Sequence, residues 1–181
     1  MRIMRTVAGI TLAGYLISAC SAQPSYDYVI SAKICDITID RSLIKPLLPA
    51  GGKFEQTVRD YGTKPETDWV CKIEIDNEQA LRIAFHRTSG TIDIPQLARE
   101  GSLKLRDPRD VDINGTSTAQ IAMDGALLSS PCLSHGEEDL ITELTLGKNR
   151  LTTKSVKDRN QEIETFLRSY VPGLIKAKCD A

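Results

Sequence analysis

The five cysteines are the residues of this 181-residue chain most able to do chemistry, and their spacing limits what that chemistry is. Cys20 ends an apolar N-terminal run, whereas the other four stand at positions 35, 71, 132 and 179. A zinc site needs paired spacings such as C-x2-C, and no two of these four are closer than 36 residues. A catalytic thiol would be left unpaired beside a base, and an even number argues against one. The four cysteines therefore predict two disulfides.

Four cysteines allow three connectivities. The sequence favours Cys35–Cys71 with Cys132–Cys179, because loops of 36 and 47 residues then close without crossing. The first bridge would fasten an N-terminal helix to a hairpin, and the second would fasten the last helix to a strand beginning at Cys132. The two other connectivities stay open at this point.

The segment DVDINGT raises the possibility of a cation site. Asp110, Asp112, Asn114 and Gly115 reproduce the first half of a calcium loop, in which oxygens at alternate positions and a glycine turn wrap a hard cation. The twelfth position of that loop should be a bidentate glutamate, and here it is Ile121. The sequence thus gives only a weak calcium candidate and favours an Asn-Gly hairpin turn, so no metal site is predicted.

The two histidines do not form a recognisable catalytic set. His86 is predicted on the polar side of a strand, and His135 lies in a loop with Ser134 and Glu137. A nucleophile, a base and an orienting group must converge from separate elements, which neighbours along one loop cannot do. No G-x-S-x-G, H-E-x-x-H or glycine-rich phosphate loop occurs. We therefore predict no catalytic residue and no cofactor, and keep a site built from distant residues as the alternative.

The N-terminus has the order of a secretory signal. Arg2 and Arg5 are followed by an uncharged run over 6–17, which is too short for a membrane-spanning helix. The run ends in Ile17-Ser18-Ala19-Cys20, which resembles the bacterial lipobox. That resemblance implies cleavage before Cys20 and acylation of its thiol and amine, and two or more chains anchor a protein stably. The alternative is an ordinary cleaved signal that leaves Cys20 as a spare thiol or a disulfide partner.

The composition indicates one globular domain that does not bind nucleic acid. Removing residues 1–19 takes two of the 23 basic residues and none of the 24 acidic ones, which leaves a net charge near −3. Charges of both signs are interspersed, so no basic patch is predicted for a membrane surface. We predict a signal peptide over 1–19, a lipidated flexible tether over 20–31 and a single extracytoplasmic domain over 32–181.

The hydrophobic pattern predicts an α+β fold with a mostly antiparallel sheet, a short N-terminal helix and a longer C-terminal helix. Alternating apolar residues predict strands over 69–75, 81–87 and 140–146, the first two as a hairpin, and a brief strand at Leu103–Leu105. Helices are predicted after the capping residues Asp40 and Asp93, and from Ser155 to Lys178 with a bend or break at Pro172-Gly173.

Five short features follow one another along the mature chain: the lipobox at Cys20, Cys35 ahead of LLPAGG, Cys71 after Trp69, SSPC at Cys132, and a last helix that ends at Cys179. In these features the chain resembles the small actinobacterial cell-envelope lipoproteins of unknown function. The resemblance covers most of the mature chain. It implies an extracytoplasmic compartment and a disulfide-linked α+β domain, and it brings no catalytic residues.

The expected function is that of a non-enzymatic binding or interaction domain, held at the outer face of the cell membrane by lipid on Cys20. Its partner would be an envelope protein or a small ligand. The first alternative is a cell-envelope hydrolase with His86 or His135 as its base. A weaker alternative is a calcium-responsive adhesion module.

Overall fold

The structure is a computed structural model that describes residues 25–61, 69–90, 92–101, 103–132, 138–148 and 154–179. The elements in these ranges are β1 (Lys33–Ile34), β2 (Ile37–Thr38), α1 (Arg41–Ile44), a 3₁₀ turn (Lys45–Leu47), β3 (Phe54–Asp60), β4 (Trp69–Ile75), β5 (Glu78–Ser89), α2 (Ile94–Glu100), β6 (Arg109–Asp110), β7 (Thr118–Ala122), β8 (Gly125–Cys132), β9 (Glu138–Leu146) and α3 (Val156–Lys178). Cys20, His135 and the predicted signal peptide lie outside the described residues.

Strands β3 to β9 form one antiparallel sheet of seven strands in the order β3-β4-β5-β9-β8-β7-β6. The predicted hairpin of β4 and β5 is confirmed. It turns at Asp76 and Asn77, whose φ values of 53° and 66° give the primed turn that matches strand twist. β9 pairs with both β5 and β8, and so joins the two halves of the sheet. The α+β prediction is confirmed.

Helix α1 is short because a proline interrupts it. Asp40 caps it as predicted, and its carboxylate accepts hydrogen bonds of 2.8 Å from the backbone N–H and the hydroxyl of Ser42. The backbone hydrogen bond, more than the hydroxyl, holds the pKa of Asp40 below its usual range. The α-helix ends at Ile44, and Pro46 lies in the 3₁₀ turn that follows.

Helix α3 packs on one face of the sheet and contributes six residues to the main core. It begins at the predicted cap Ser155, and its buried stripe has helical spacing: Ile163, Phe166, Leu167, Tyr170, Val171 and Leu174. The helix continues through Pro172, so the prediction of a break there is wrong. Pro172 is exposed, and the turns beyond it are held by the burial of Leu174 and by the bridge at Cys179.

Helix α2 packs on the opposite face of the sheet. It begins after the predicted cap Asp93, and Ile94 and Ala98 pack with Leu127 and Ile141 in a second, smaller core. The neighbours of Leu127 and Ile141 along their strands belong to the main core. Because successive strand residues point to opposite faces, the two cores lie on the two sides of the sheet.

The strand predicted at Leu103–Leu105 is wrong. Leu105 donates its N–H to the carbonyl of Ala98 at 2.8 Å, and Lys104 has a φ of 41°. This chain segment folds back onto α2, and Leu105 is buried against that helix and not in a ladder.

Both predicted disulfides are confirmed. Cys35 bonds to Cys71 and Cys132 bonds to Cys179, with Cα–Cα distances of 5.7 Å and 4.9 Å. All four cysteines are buried in the main core. The first bridge ties the turn between β1 and β2 to β4, and the second ties the end of α3 to the end of β8.

Residues 25–31, assigned by the sequence to the tether, contact the domain. The hydroxyl of Tyr28 donates a 2.5 Å hydrogen bond to the carbonyl of Pro49, and the Tyr28 ring stacks on Phe54 at 6.1 Å. Ile30 is buried in the main core. Among the described residues no helix has the length and apolar character needed to cross a membrane.

Candidate functional site

One half of the sheet carries polar side chains on the face opposite α3. Helix α2 packs over β7 and β8, which leaves the β3-β4-β5 half of that face without a described helix above it. Side chains that alternate with the buried ones point outward there, and together they form what we call the open face: Glu55, Thr57 and Arg59 of β3, Val70, Lys72 and Glu74 of β4, Arg82, Ala84 and His86 of β5, and Glu143 of β9.

A cleft of about 220 Å³ lies on the open face, around His86. Apolar and polar side chains both line it: Tyr61, Trp69, Val70, Arg82, Ala84, Phe85, His86 and Glu143. Tyr61 is 54% exposed, so much of its ring is available to a ligand. Small-ligand sites are usually concave and mostly apolar with a few placed polar groups, and they are commonly somewhat larger, at about 300 Å³ or more.

Glu143 lies between a guanidinium and an imidazole. It stands opposite Ala84 in the β5–β9 register, which makes Arg82 and His86 its two diagonal neighbours. Arg82 makes an ion pair with Glu143 at 3.5 Å. Among the residues that line this cleft there is no serine, threonine or cysteine, so a reaction here would require His86 or Glu143 to activate water or a substrate group.

A smaller cleft of about 80 Å³ adjoins the first and shares Tyr61 and Val70 with it. Its other lining residues are Thr57, Arg59, Lys72 and Glu74. The two clefts flank the exposed Tyr61. Cationic side chains thus lie on both sides of an aromatic ring on the open face.

The weak calcium candidate forms the loop between β6 and β7. Thr116 donates its N–H to the carbonyl of Ile113 at 3.1 Å, and Gly115 has a φ of 86°, which is a turn with glycine at its third position. Asp110 is already a hydrogen-bond acceptor for the amide of Gln120. The described residues contain no group of three or more His, Cys, Asp or Glu side chains placed to hold a metal ion. The Asn-Gly turn within a hairpin is as predicted, although the loop is longer than two residues.

Comparison of the chain with protein-family models, with curated proteins and with solved structures finds no match. Chemical interpretation therefore depends on the geometry of the chain itself. Of the two histidines, His86 lies in a cleft, whereas His135 is outside the described residues. The sequence analysis did not identify Arg59, Lys72, Arg82 or Glu143 as site residues. Alternation in β4 and β5 does place Lys72 and Arg82 on the polar side of their strands.

Proposed function

We propose that this chain is an extracytoplasmic binding domain, anchored to the cell membrane by lipid on Cys20, that binds its ligand on the open face without catalysis. The observation that carries the proposal is that the two faces of the sheet are covered to different extents. One face is buried under α3, and half of the other presents two adjoining clefts with an exposed tyrosine between them. The resemblance to small actinobacterial lipoproteins remains part of this proposal.

The disulfides support the extracytoplasmic location, and the packing of residues 25–31 limits the reach of an anchor on Cys20. Two buried disulfides suit an oxidising compartment, because cytosolic thiols are kept reduced. In addition, residues 25–31 pack on the domain, so only residues 20–24 separate the lipobox cysteine from packed chain. Fully extended, those residues span about 18 Å at most. A lipid on Cys20 would therefore hold the domain close to the membrane surface.

The anchor is tested by the intact mass of detergent-extracted mature protein, taken without reduction after alkylation of free thiols. We expect a chain that starts at Cys20, carries a lipid-sized increment and takes up no alkylating label. The matched control is Cys20→Ser, which we expect to leave the membrane fraction. A chain without lipid, or one that accepts label, would contradict the anchor.

The binding face is tested by placing a photo-crosslinking residue at Thr57, on the open face, and at Thr165 as the matched control. Both threonines are exposed, but Thr165 lies on α3, on the other side of the sheet. After illumination of intact cells we expect a defined adduct at position 57 and none at position 165. Equal adducts at both positions, or none at either, would rule out the open face as the binding surface.

A second candidate function is hydrolysis with His86 as the general base. The observation that favours it is the diagonal placement of His86 beside Glu143 in the larger cleft. A carboxylate beside an imidazole can orient it and stabilise its charged form. If the protein is such an enzyme, His86→Ala and Glu143→Gln each abolish its cellular role. A His86→Ala strain that complements a deletion fully would eliminate this candidate and leave the binding function.

A further inference from the structure

Three cations from three adjacent strands lie side by side on the open face. Lys72 stands directly opposite Arg82 in the β4–β5 register. Arg59 stands opposite Val70 in the β3–β4 register and is therefore the diagonal neighbour of Lys72. Neighbouring strands are about 4.8 Å apart and residues rise about 3.4 Å along a strand, so the most distant two, Arg59 and Arg82, originate roughly 12 Å apart. Their long, flexible side chains can converge on one group above Val70.

This arrangement costs stability in the absence of a counter-charge. Like charges directly opposite each other in an antiparallel pair are destabilising. Lys72 and Arg82 are also half-buried, where water screens their repulsion less than it does at a free surface. The β4–β5 hairpin therefore holds two cations where opposite charges would stabilise it.

The carboxylates of the open face do not neutralise the cluster. Glu143 pairs with Arg82 at 3.5 Å. Glu55, a diagonal neighbour of Lys72, pairs with Lys53 at 2.9 Å. Glu74 lies two residues beyond Lys72, and among the described residues no carboxylate oxygen comes within 4.0 Å of Lys72 or Arg59. Two positive charges thus remain without an ion-pair partner in the described part of the chain, beside the smaller cleft.

We propose that Arg59, Lys72 and Arg82 bind a phosphate group of the ligand, an inference that rests on the proposed binding role of the open face. A phosphate offers three or more oxygens in a tetrahedral arrangement, which suits donors that approach from three different strands. An arginine guanidinium can donate two parallel hydrogen bonds to a phosphate, and a lysine ammonium adds a compact positive charge.

The test measures the binding of pyrophosphate to the detergent-solubilised mature protein by calorimetry and by the shift in melting temperature, with citrate at equal ionic strength as the comparison anion. We expect pyrophosphate to bind and to raise the melting temperature, and citrate to bind more weakly. Lys72→Met keeps the length of the side chain and removes its charge. It should weaken pyrophosphate binding about tenfold or more. Without anion, this variant should melt at the same temperature as the native protein or higher, because the opposed charges are gone.

Arg59→Gln is a second variant at an exposed position, and it should weaken pyrophosphate binding without loss of fold. Lys157→Met, at the exposed start of α3, is the matched control and should change neither the binding of pyrophosphate nor the melting temperature.

Failure of the native protein to bind pyrophosphate, equal binding of citrate, or unchanged binding by Lys72→Met would each overturn the phosphate assignment. If the Thr57 adduct still forms in that case, the binding function stands with a ligand of another class. Tighter binding to phosphatidylglycerol vesicles than to pyrophosphate, lost in Lys72→Met, would identify a lipid headgroup as the source of the phosphate.

Discussion

The guanidinium of Arg159, a residue only 1% exposed, donates a 3.2 Å hydrogen bond to the backbone carbonyl of Pro46. It also pairs with Glu162 at 3.1 Å, one helical turn further along α3. The α-helix ends before Pro46, and the carbonyl of Pro46 accepts a hydrogen bond from a side chain of another element. The start of α3 is thereby fastened to the 3₁₀ turn. Lys154 supports the same pair of acceptors from a more exposed position.

Arg159→Met should lower the free energy of unfolding by about 1–3 kcal/mol, because it removes a buried donor from the carbonyl of Pro46 and the carboxylate of Glu162. The control is Lys154→Met, which should cost less than about 1 kcal/mol since this pair is more exposed. Urea unfolding of both variants measures the difference. Equal losses of unfolding free energy in the two variants would show that the buried guanidinium contributes no more to stability than the exposed Lys154 ammonium.

Tyr170→Phe should leave the stability unchanged or raise it by up to about 1 kcal/mol. The Tyr170 hydroxyl is buried and has no hydrogen-bond partner among the described residues. Burial raises the pKa of this hydroxyl, and the carboxylate of Asp36 raises it further. Removing an unsatisfied buried hydroxyl recovers its desolvation cost, while the ring stack with Phe166 at 5.1 Å remains. A loss above about 1 kcal/mol in thermal unfolding would mean that the hydroxyl is hydrogen-bonded in solution.

The sequence predicted the strands whose two sides differ in polarity. β4 alternates strictly because one side faces the main core and the other the open face, and β9 alternates except at Ile141, which packs with α2. β3 was missed because it is an edge strand whose core-facing positions include polar Gln56 and Asp60, so the period-two signal is absent. The hairpin turn at Met123-Asp124 was also missed, because β8 is buried on both faces and reads as one continuous run.

The candidate site depends on register, which composition does not reveal. Alternation alone places Lys72 and Arg82 on the polar side of their strands. The turn at Asp76 and Asn77, together with a one-residue register shift between Ile73 and Glu74, brings the two cations opposite each other. The position of Glu143 beside them depends on the pairing of β5 with β9, strands that are about 50 residues apart in sequence. No local pattern predicts a contact across that distance.

Glu164 should make stability fall with acid. Its hydrogen bond from Arg168, and more weakly the bond and charge of Arg109, hold the pKa of Glu164 below its ordinary value of 4.5. The folded pKa is therefore lower than the unfolded one. The stabilisation is complete above the unfolded value and is lost as the pH falls through the folded one. Since the pair is partly exposed, we expect about 0.5 kcal/mol.

Glu164→Gln should accordingly be less stable than the native protein near neutral pH and equal to it in acid, below both pKa values. Urea unfolding across this range measures the two curves. The control is Gln161→Glu, an exposed position one turn earlier on α3 that is not among the contacts of Arg168. A difference between native protein and Glu164→Gln that stays constant with pH would show that the carboxylate acts through packing and not through its charge.

Loss of the Cys132–Cys179 bridge should lower stability without detaching the end of α3. The loop of 47 residues that this bridge closes corresponds to roughly 4 kcal/mol in the chain-entropy model. The helix end has other attachments: Arg87 donates a 2.5 Å hydrogen bond to the carbonyl of Lys178, and the Lys178 ammonium lies 4.6 Å from the centre of the Trp69 ring. Trp69 is the only tryptophan, so its fluorescence reports this contact.

The variant Cys132→Ala/Cys179→Ala should keep the native emission spectrum and unfold at a lower urea concentration. Cys35→Ala/Cys71→Ala is the matched comparison, with a separate loop of 36 residues and a similar expected loss. A red-shifted spectrum of the first variant before unfolding begins would show that the bridge alone holds the last turn of α3 against the sheet.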